Sequence, residues 1–251
     1  MNVELIDYTG APDPWRAPAI MIFTKNTRVE MSRGALVKTL SMRHEETMKE
    51  LAYMANTIPS SWEFADFTFL LSDVTRAFTH QLVRSRNFSF AQQSMQVFRV
   101  DNFGYYTGRT VADDGDAKVL YEETMRTINK AYVALCDLPG VAIEDARGVL
   151  PTNILNSIVM KGNLRSYADL LRKRASPRNM GAVHGEWAMA IGSIKERMIE
   201  ACPWTDLFVN RTADVVASDG FKYIESLPLD KNYKTNLYKI IDQLQTNTGG
   251  E

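Results

Sequence analysis

Apolar positions along the chain alternate between helical and extended spacing. In "GALVKTLSMRHEETMKELAYMAN", Leu36, Leu40, Met48 and Leu51 fall near helical spacing, and Ile58-Pro59 breaks the pattern. The first forty residues carry few periodic signals and read as strand and loop, with "PAIMIF" a short strand. "FADFTFLLS" is aromatic enough for another strand. Asp73 is placed to cap a helix through "VTRAFTHQLVRSR", whose stripe is Val74, Phe78 and Leu82. Gln81 and Arg84, three apart, then share a face near the C-terminus of that helix.

Further along, "SMQVFRV" alternates and predicts a strand, followed by the turn-rich "DNFGYYTGRTVADDGD". Tyr121, Met125, Ile128, Tyr132 and Leu135 repeat at four and three residues, an amphipathic helix ended by Pro139-Gly140. "EDARGVLPTN" predicts a short helical turn around Pro151, and the segment onward to Arg174 reads as helix again. Trp187, Ile191, Ile194, Met198 and Ala201 mark a later helix stopped by Pro203, and the tail from about residue 244 to 251 reads as frayed. Helices outnumber strands without regular alternation. The expected class is therefore α+β, helices packed on a small, mostly antiparallel sheet.

Composition narrows this only modestly. With 251 residues, 45% hydrophobic and 24% charged, the chain is long enough for a substantial core, and one domain over 1–251 is expected. No apolar run approaches the roughly 20 residues of a membrane span, and "MNVELIDYTGAPDPW" lacks a signal-peptide pattern. A cytoplasmic protein with no membrane role is the expectation. Cys136 and Cys202 have no paired-ligand spacing, and His44, His80 and His184 form no metal-like cluster. Both cysteines read as inert packing, because a reactive thiolate needs an electropositive setting.

The formal net charge of −1 conceals a local concentration of cations. "KGNLRSYADLLRKRASPR" carries Lys161, Arg165, Arg172, Lys173, Arg174 and Arg178 against the single acid Asp169. A solvated helix face is the ordinary explanation. Nucleic acid is disfavoured by the near-neutral total and the lack of a reading motif. Arginines arriving from separate segments suit phosphate, which a guanidinium binds through two parallel hydrogen bonds. Neither a Rossmann nor a Walker glycine pattern is present, so such recognition would fall to side chains and helix ends.

"RSRNFSFAQQS", Arg84 to Ser94, resembles the signature of the flavin-dependent thymidylate synthases, as a variant Arg-Ser-Arg-x7-Ser in place of Arg-His-Arg-x7-Ser. "HQLVR" before it, "ARGVLP" at 146–151, "NLRSYADLLRKRA" at 163–175 and "CPW" at 202–204 follow in the family's order, so the resemblance spans Trp62 to Trp204. It implies a homotetramer with shared active sites that binds FAD, uses NADPH as reductant and carries a one-carbon unit from methylenetetrahydrofolate to C5 of dUMP, giving dTMP. No enzyme cysteine attacks the ring, in agreement with the reading of both thiols as inert.

By the same resemblance, Arg84 and Arg86 would meet nucleotide and FAD phosphates, with Gln81 and Ser94 lining the nucleotide pocket and Arg147 holding its phosphate across a subunit boundary. Arg174 would lie at the pyrimidine, where a fixed positive charge stabilises negative charge developing on the ring. Ser94 and Arg174 are thus the candidate catalytic residues. Asn163, Arg165, Asp169 and Glu63 would contribute to the flavin site. An ion pair with a neighbouring carboxylate is the plain alternative for Arg147 and Arg174; for Arg147 the partner would be Glu144 or Asp145.

Several positions depart from the family pattern. Ser85 replaces the central histidine, keeping a hydroxyl for a phosphate but losing a titratable ring. Ile58 and Phe64 stand where histidines are expected, and Ala91, Gln92 and Gln96 replace asparagine, glutamate and arginine beside the nucleotide. A glutamine both donates and accepts, whereas arginine only donates, and uracil and cytosine swap those roles at N3 and C4. Two alternatives therefore accompany dUMP methylation: a pyrimidine nucleotide hydroxymethylase acting on dUMP or dCMP, and a non-catalytic nucleotide- or flavin-binding homologue. If Gln92 and Gln96 set base preference, Gln96→Arg shifts the dUMP-to-dCMP ratio of kcat/KM; an unchanged ratio contradicts that role.

Overall fold

The computed structural model describes residues 1–96, 99–175, 185–210, 224, 228 and 230–246. Its centre is a sheet of β1 (Asn2–Tyr8), β2 (Asp66–Thr75), β3 (Ser89–Gln92) and β4 (Leu155–Asn163), in the order β1-β2-β4-β3 with antiparallel neighbours. Phe67, Phe69 and Leu71 of β2 lie opposite Gly162, Met160 and Ile158 of β4, so one face is continuously apolar. This is the expected α+β arrangement.

The strands are accompanied by helices, several of which pack on that face. They are α1 (Arg16–Lys25), α2 (Arg33–Leu40), α3 (His44–Thr57) and α4 (Arg76–Leu82), then the short α5 (Arg109–Ala112), long α6 (Gly115–Asp137) and short α7 (Ile143–Ala146). After β4 come α8 (Leu164–Ala175), α9 (Gly185–Ala201), the short α10 (Asp206–Val209) and α11 (Lys231–Thr246). Met21, Leu51, Leu82, Tyr167, Trp187 and Met198 from these elements, and Trp204 in the turn Pro203–Thr205 between α9 and α10, join the sheet residues in one buried cluster. Tyr167 fastens α8 to the sheet, its hydroxyl facing the carbonyls of Met160 at 3.2 Å and Phe67 at 3.4 Å. A smaller cluster of Met95, Phe103, Met125 and Ile154 forms under α6.

Four sequence expectations are corrected. "PAIMIF" lies in helix α1: Pro18 falls in the first turn, where its missing N–H costs nothing, and Ala17, Pro18, Ala19, Met21 and Ile22 are all buried. The segment after Pro151 is not continuously helical, because residues 155–163 form β4, whose alternation of half-buried and buried positions is a strand signal. The strand expected at "SMQVFRV" falls earlier, at Ser89–Gln92; Val97 and Phe98 lie outside the described residues. Thr75, not Asp73, caps α4, since β2 continues to Thr75 through a bulge.

Other expectations match. The helix over 34–56 is present as α2 and α3, separated at Ser41–Arg43, and the 121–135 repeat lies in α6. The frayed tail is not among the matches: its first residues, 244–246, lie in helix α11, which reaches Thr246, and residues 247–251 lie outside the described residues. Among the described residues no helix is long and apolar enough to cross a membrane.

Gly162 meets a packing constraint. A Cβ there would stand 2.3 Å from the Phe88 ring, which packs edge-on against Tyr167. Burial also pushes the Cys202 thiol up from near 9 to about 12 and raises the Tyr167 phenol, with Asp66 adding to the latter. In both, the unfolded chain ionises first as pH rises, so their contribution to stability is complete below the ordinary value and lost above it. Denaturant unfolding is therefore expected to show stability falling above pH ~9, with a shallower fall in Cys202→Ala. In the folded protein near neutral pH, Cys202 should resist thiol reagents that modify half-buried Cys136.

Candidate functional site

The site begins where β2 turns into α4. A register shift between Leu71 and Val74 places Asp73 at φ 56, in the left-handed region, and swings the chain into the helix. The Thr75 hydroxyl accepts from Phe78 N at 2.9 Å, satisfying one of the unpaired donors of the first turn. Buried Glu186, near the start of α9, accepts from Thr75 N at 2.6 Å and from its hydroxyl at 2.7 Å. One carboxylate thus ties the N-terminal end of α9 to that of α4.

Trp187 continues the connection. Its ring packs on Phe78 with centroids 4.6 Å apart, and its indole N–H donates to Gln81 Oε1 at 3.0 Å. The Arg174 guanidinium, from the last turn of α8, lies 3.9 Å from the Trp187 ring centre, a cation–π arrangement. Arg84 follows the end of α4, with its backbone N–H on Gln81 O at 3.2 Å. Burial, and then the nearby Arg84 charge, lower the pKa of Arg174. Among the described residues, no carboxylate forms an ion pair with Arg84, Arg86 or Arg174. Two mutually repelling guanidiniums without an acid between them suit an anionic ligand.

On β3, the Gln92 amide donates from Nε2 to Thr79 Oγ1 at 2.9 Å. Thr79 spends its one proton on Arg76 O at 3.1 Å, so its oxygen accepts from Gln92, and among the described residues no donor is bonded to Gln92 Oε1. Ser94 and Gln96 follow the strand: Ser94 Oγ accepts from Gln96 N at 3.1 Å in an exposed turn. Ser85 and Arg86 occupy the turn between α4 and β3.

A second group collects at the other end of α8. Asn163 caps that helix, its Oδ1 accepting from Ser166 N at 2.9 Å, and Arg165 pairs with Glu63 at 2.6 Å. At 1.5 Å rise per residue, Arg165 and Arg174 are separated by roughly 14 Å along the helix. Asp169 lies between them, paired with Arg172 at 2.6 Å. Arg147 bonds Glu144 O at 3.1 Å and contacts its carboxylate at 3.4 Å, the plain ion pair named above as its alternative. Among the described residues no hydrogen bond or ion pair joins Arg147 to Arg84 or Arg174. The structure therefore brings together Gln81, Arg84 and Arg174, and groups Glu63, Asn163 and Arg165 separately.

Sequence reasoning missed Glu186, Thr75 and Thr79, and treated Trp187 only as a core position. A Trp heading an apolar stripe needs a partner for its N–H once buried; that was the available signal.

Fold and site together define an α+β protein that gathers, where strands and helices end, cationic side chains with no ion-pair partner among the described residues. The chain belongs to the family described as thymidylate synthase complementing protein, whose model matches residues 4–204. Among its relatives, a flavin-dependent thymidylate synthase of Nitratidesulfovibrio vulgaris is 32% identical over 62% of this chain and 68% of its own. Proteins of the same name from Clostridium tetani and Geobacter sulfurreducens are each 29% identical, over 71% of this chain and 76% and 75% of theirs.

If Glu186 fixes α4 against α9, Glu186→Ala leaves the Thr75 N–H and hydroxyl unpaired in the interior and should cost ~2–4 kcal/mol. Glu186→Gln keeps one acceptor and should cost less than half as much. Equilibrium denaturation of the two variants checks the order.

Proposed function

We propose that this chain transfers a one-carbon unit from methylenetetrahydrofolate to C5 of dUMP, producing dTMP, with bound FAD and NADPH as reductant. One observation carries the reading: Arg84 and Arg174 interact with no carboxylate paired to either among the described residues, and burial and like charge both disfavour Arg174 in its cationic form. A nucleotide that is anionic at its phosphate and accumulates negative charge on its ring relieves both penalties.

Arg84 and Gln81 would bind the nucleotide with Ser94, Gln92 and Gln96 nearby, while Arg174 would stabilise charge at the pyrimidine. Arg147 would hold the phosphate from a neighbouring subunit of a homotetramer; within one chain its printed bonds go to Glu144. FAD would be held by Arg84, Ser85, Arg86, Asn163 and Arg165, with Asp169 and Glu63 beside it. The donor set suits it: among the described residues the Asn163 amide N–H groups bond nothing while Oδ1 caps α8, and the Arg165 side chain is 46% exposed. When bound, FAD supplies the redox chemistry. The protein's part is to seat the nucleotide, fix its C5 and hold positive charge near the ring.

The free Oε1 of Gln92 can accept from N3–H of uracil or from the 4-amino group of cytosine, so that position serves either base. The test is incubation with FAD, NADPH, methylenetetrahydrofolate and an equimolar mixture of dUMP and dCMP, followed by mass analysis. The expected product is dTMP alone, and Arg174→Ala should lower kcat by about 100-fold or more. A hydroxymethylated nucleotide or a modified cytosine would replace this reading with the hydroxymethylase one. Nucleotide and FAD binding without turnover would leave a non-catalytic binding protein.

A further inference from the structure

Gln81 and Gln92 are both amides, yet neighbouring groups fix them with opposite polarity. An indole N–H has no acceptor capacity, so the 3.0 Å bond from Trp187 forces Gln81 to contribute its oxygen. The Gln81 –NH₂ is then the part of the amide left for a ligand, on an exposed residue in the last turn of α4, three positions before Arg84. Rotation of that amide would place an –NH₂ against the indole N–H, two donors face to face. Trp187 therefore filters what Gln81 can offer.

The same indole carries Arg174 on its ring face. Edge and face of one side chain thus govern two groups from different helices, and with Arg84 they make a patch of hydrogen-bond donors only. Glu186 holds the start of α9 in place through Thr75, and Trp187 is only 2% exposed, so the indole has little freedom to reorient.

We propose that Trp187 is a positioning residue of the nucleotide site, pinning the Gln81 amide so that only N–H donors face the ligand while seating Arg174 on its ring. This rests on the nucleotide reading above and adds a specificity element: the ligand surface meeting Gln81 is an acceptor, a phosphate oxygen or a ring carbonyl, never an amino group.

The test is a double-mutant cycle on the dUMP dissociation constant of the FAD-loaded protein, measured by calorimetry. Trp187→Phe keeps an aromatic face for Arg174 and removes only the N–H. It should weaken dUMP binding about tenfold, equal to ~1.4 kcal/mol. In a Gln81→Ala background the same change should matter less than about twofold, because the group it orients is gone. Equal losses in both backgrounds would overturn the proposal. Gln81→Glu, at an exposed site with little risk to folding, still accepts from the indole but presents an acceptor outward, and should weaken binding by about 30-fold or more. Wild-type affinity in Gln81→Glu would also overturn it. Wild-type protein that ignores dUMP would instead overturn the nucleotide reading, and this inference with it.

Discussion

Arg174 is held where its charge is least comfortable: partly buried, beside the charge of Arg84 and without a carboxylate partner among the described residues. Such a placement requires a scaffold that offsets it. The Trp187 ring supplies about 0.5–2 kcal/mol of cation–π attraction. The position of that ring depends in turn on the Glu186 carboxylate, which closes on the backbone and hydroxyl of Thr75. The bulge at Asp73 delivers Thr75 to that carboxylate. A local distortion in one strand thereby supports the ring on which Arg174 rests.

The sheet order explains why these parts converge. β4 lies between β2 and β3, so the strand bearing the signature is paired to the strand that launches α8. Gln92 faces α4 through Thr79, and the two ends of α8 present Arg165 and Arg174 roughly 14 Å apart. That span suits a nucleotide at one end and an extended dinucleotide cofactor reaching toward the other. Close packing of Phe88 over Gly162 keeps the signature strand tight against β4 between them.

Much of this was legible in the sequence, and for identifiable reasons. The α6 stripe and the Trp187–Ala201 stripe are strongly periodic, and both are helices. The side chains of Gln81 and Arg84 were expected to share one end of a helix, and Arg84 does follow directly after α4. β4 and α1 were misread because short apolar runs fit either a strand or a buried helix until their neighbours are known. Thr75 was passed over as cap because the bulge that extends β2 arises from pairing with β4, a tertiary event. Glu186 left no local trace at all: its partner is 111 residues away, and only the fold brings them within 2.6 Å.

The most direct measurement of the central claim is amide hydrogen exchange of the FAD-loaded protein with and without dUMP. Protection is expected at the end of α4, through residues 84–92, and in the last turn of α8, where the proposed reading seats the nucleotide against Gln81, Arg84 and Arg174. Exchange unchanged in those segments, or protection confined to the remote cleft of Trp15, Arg16 and His44 between α1 and α3, would contradict the account.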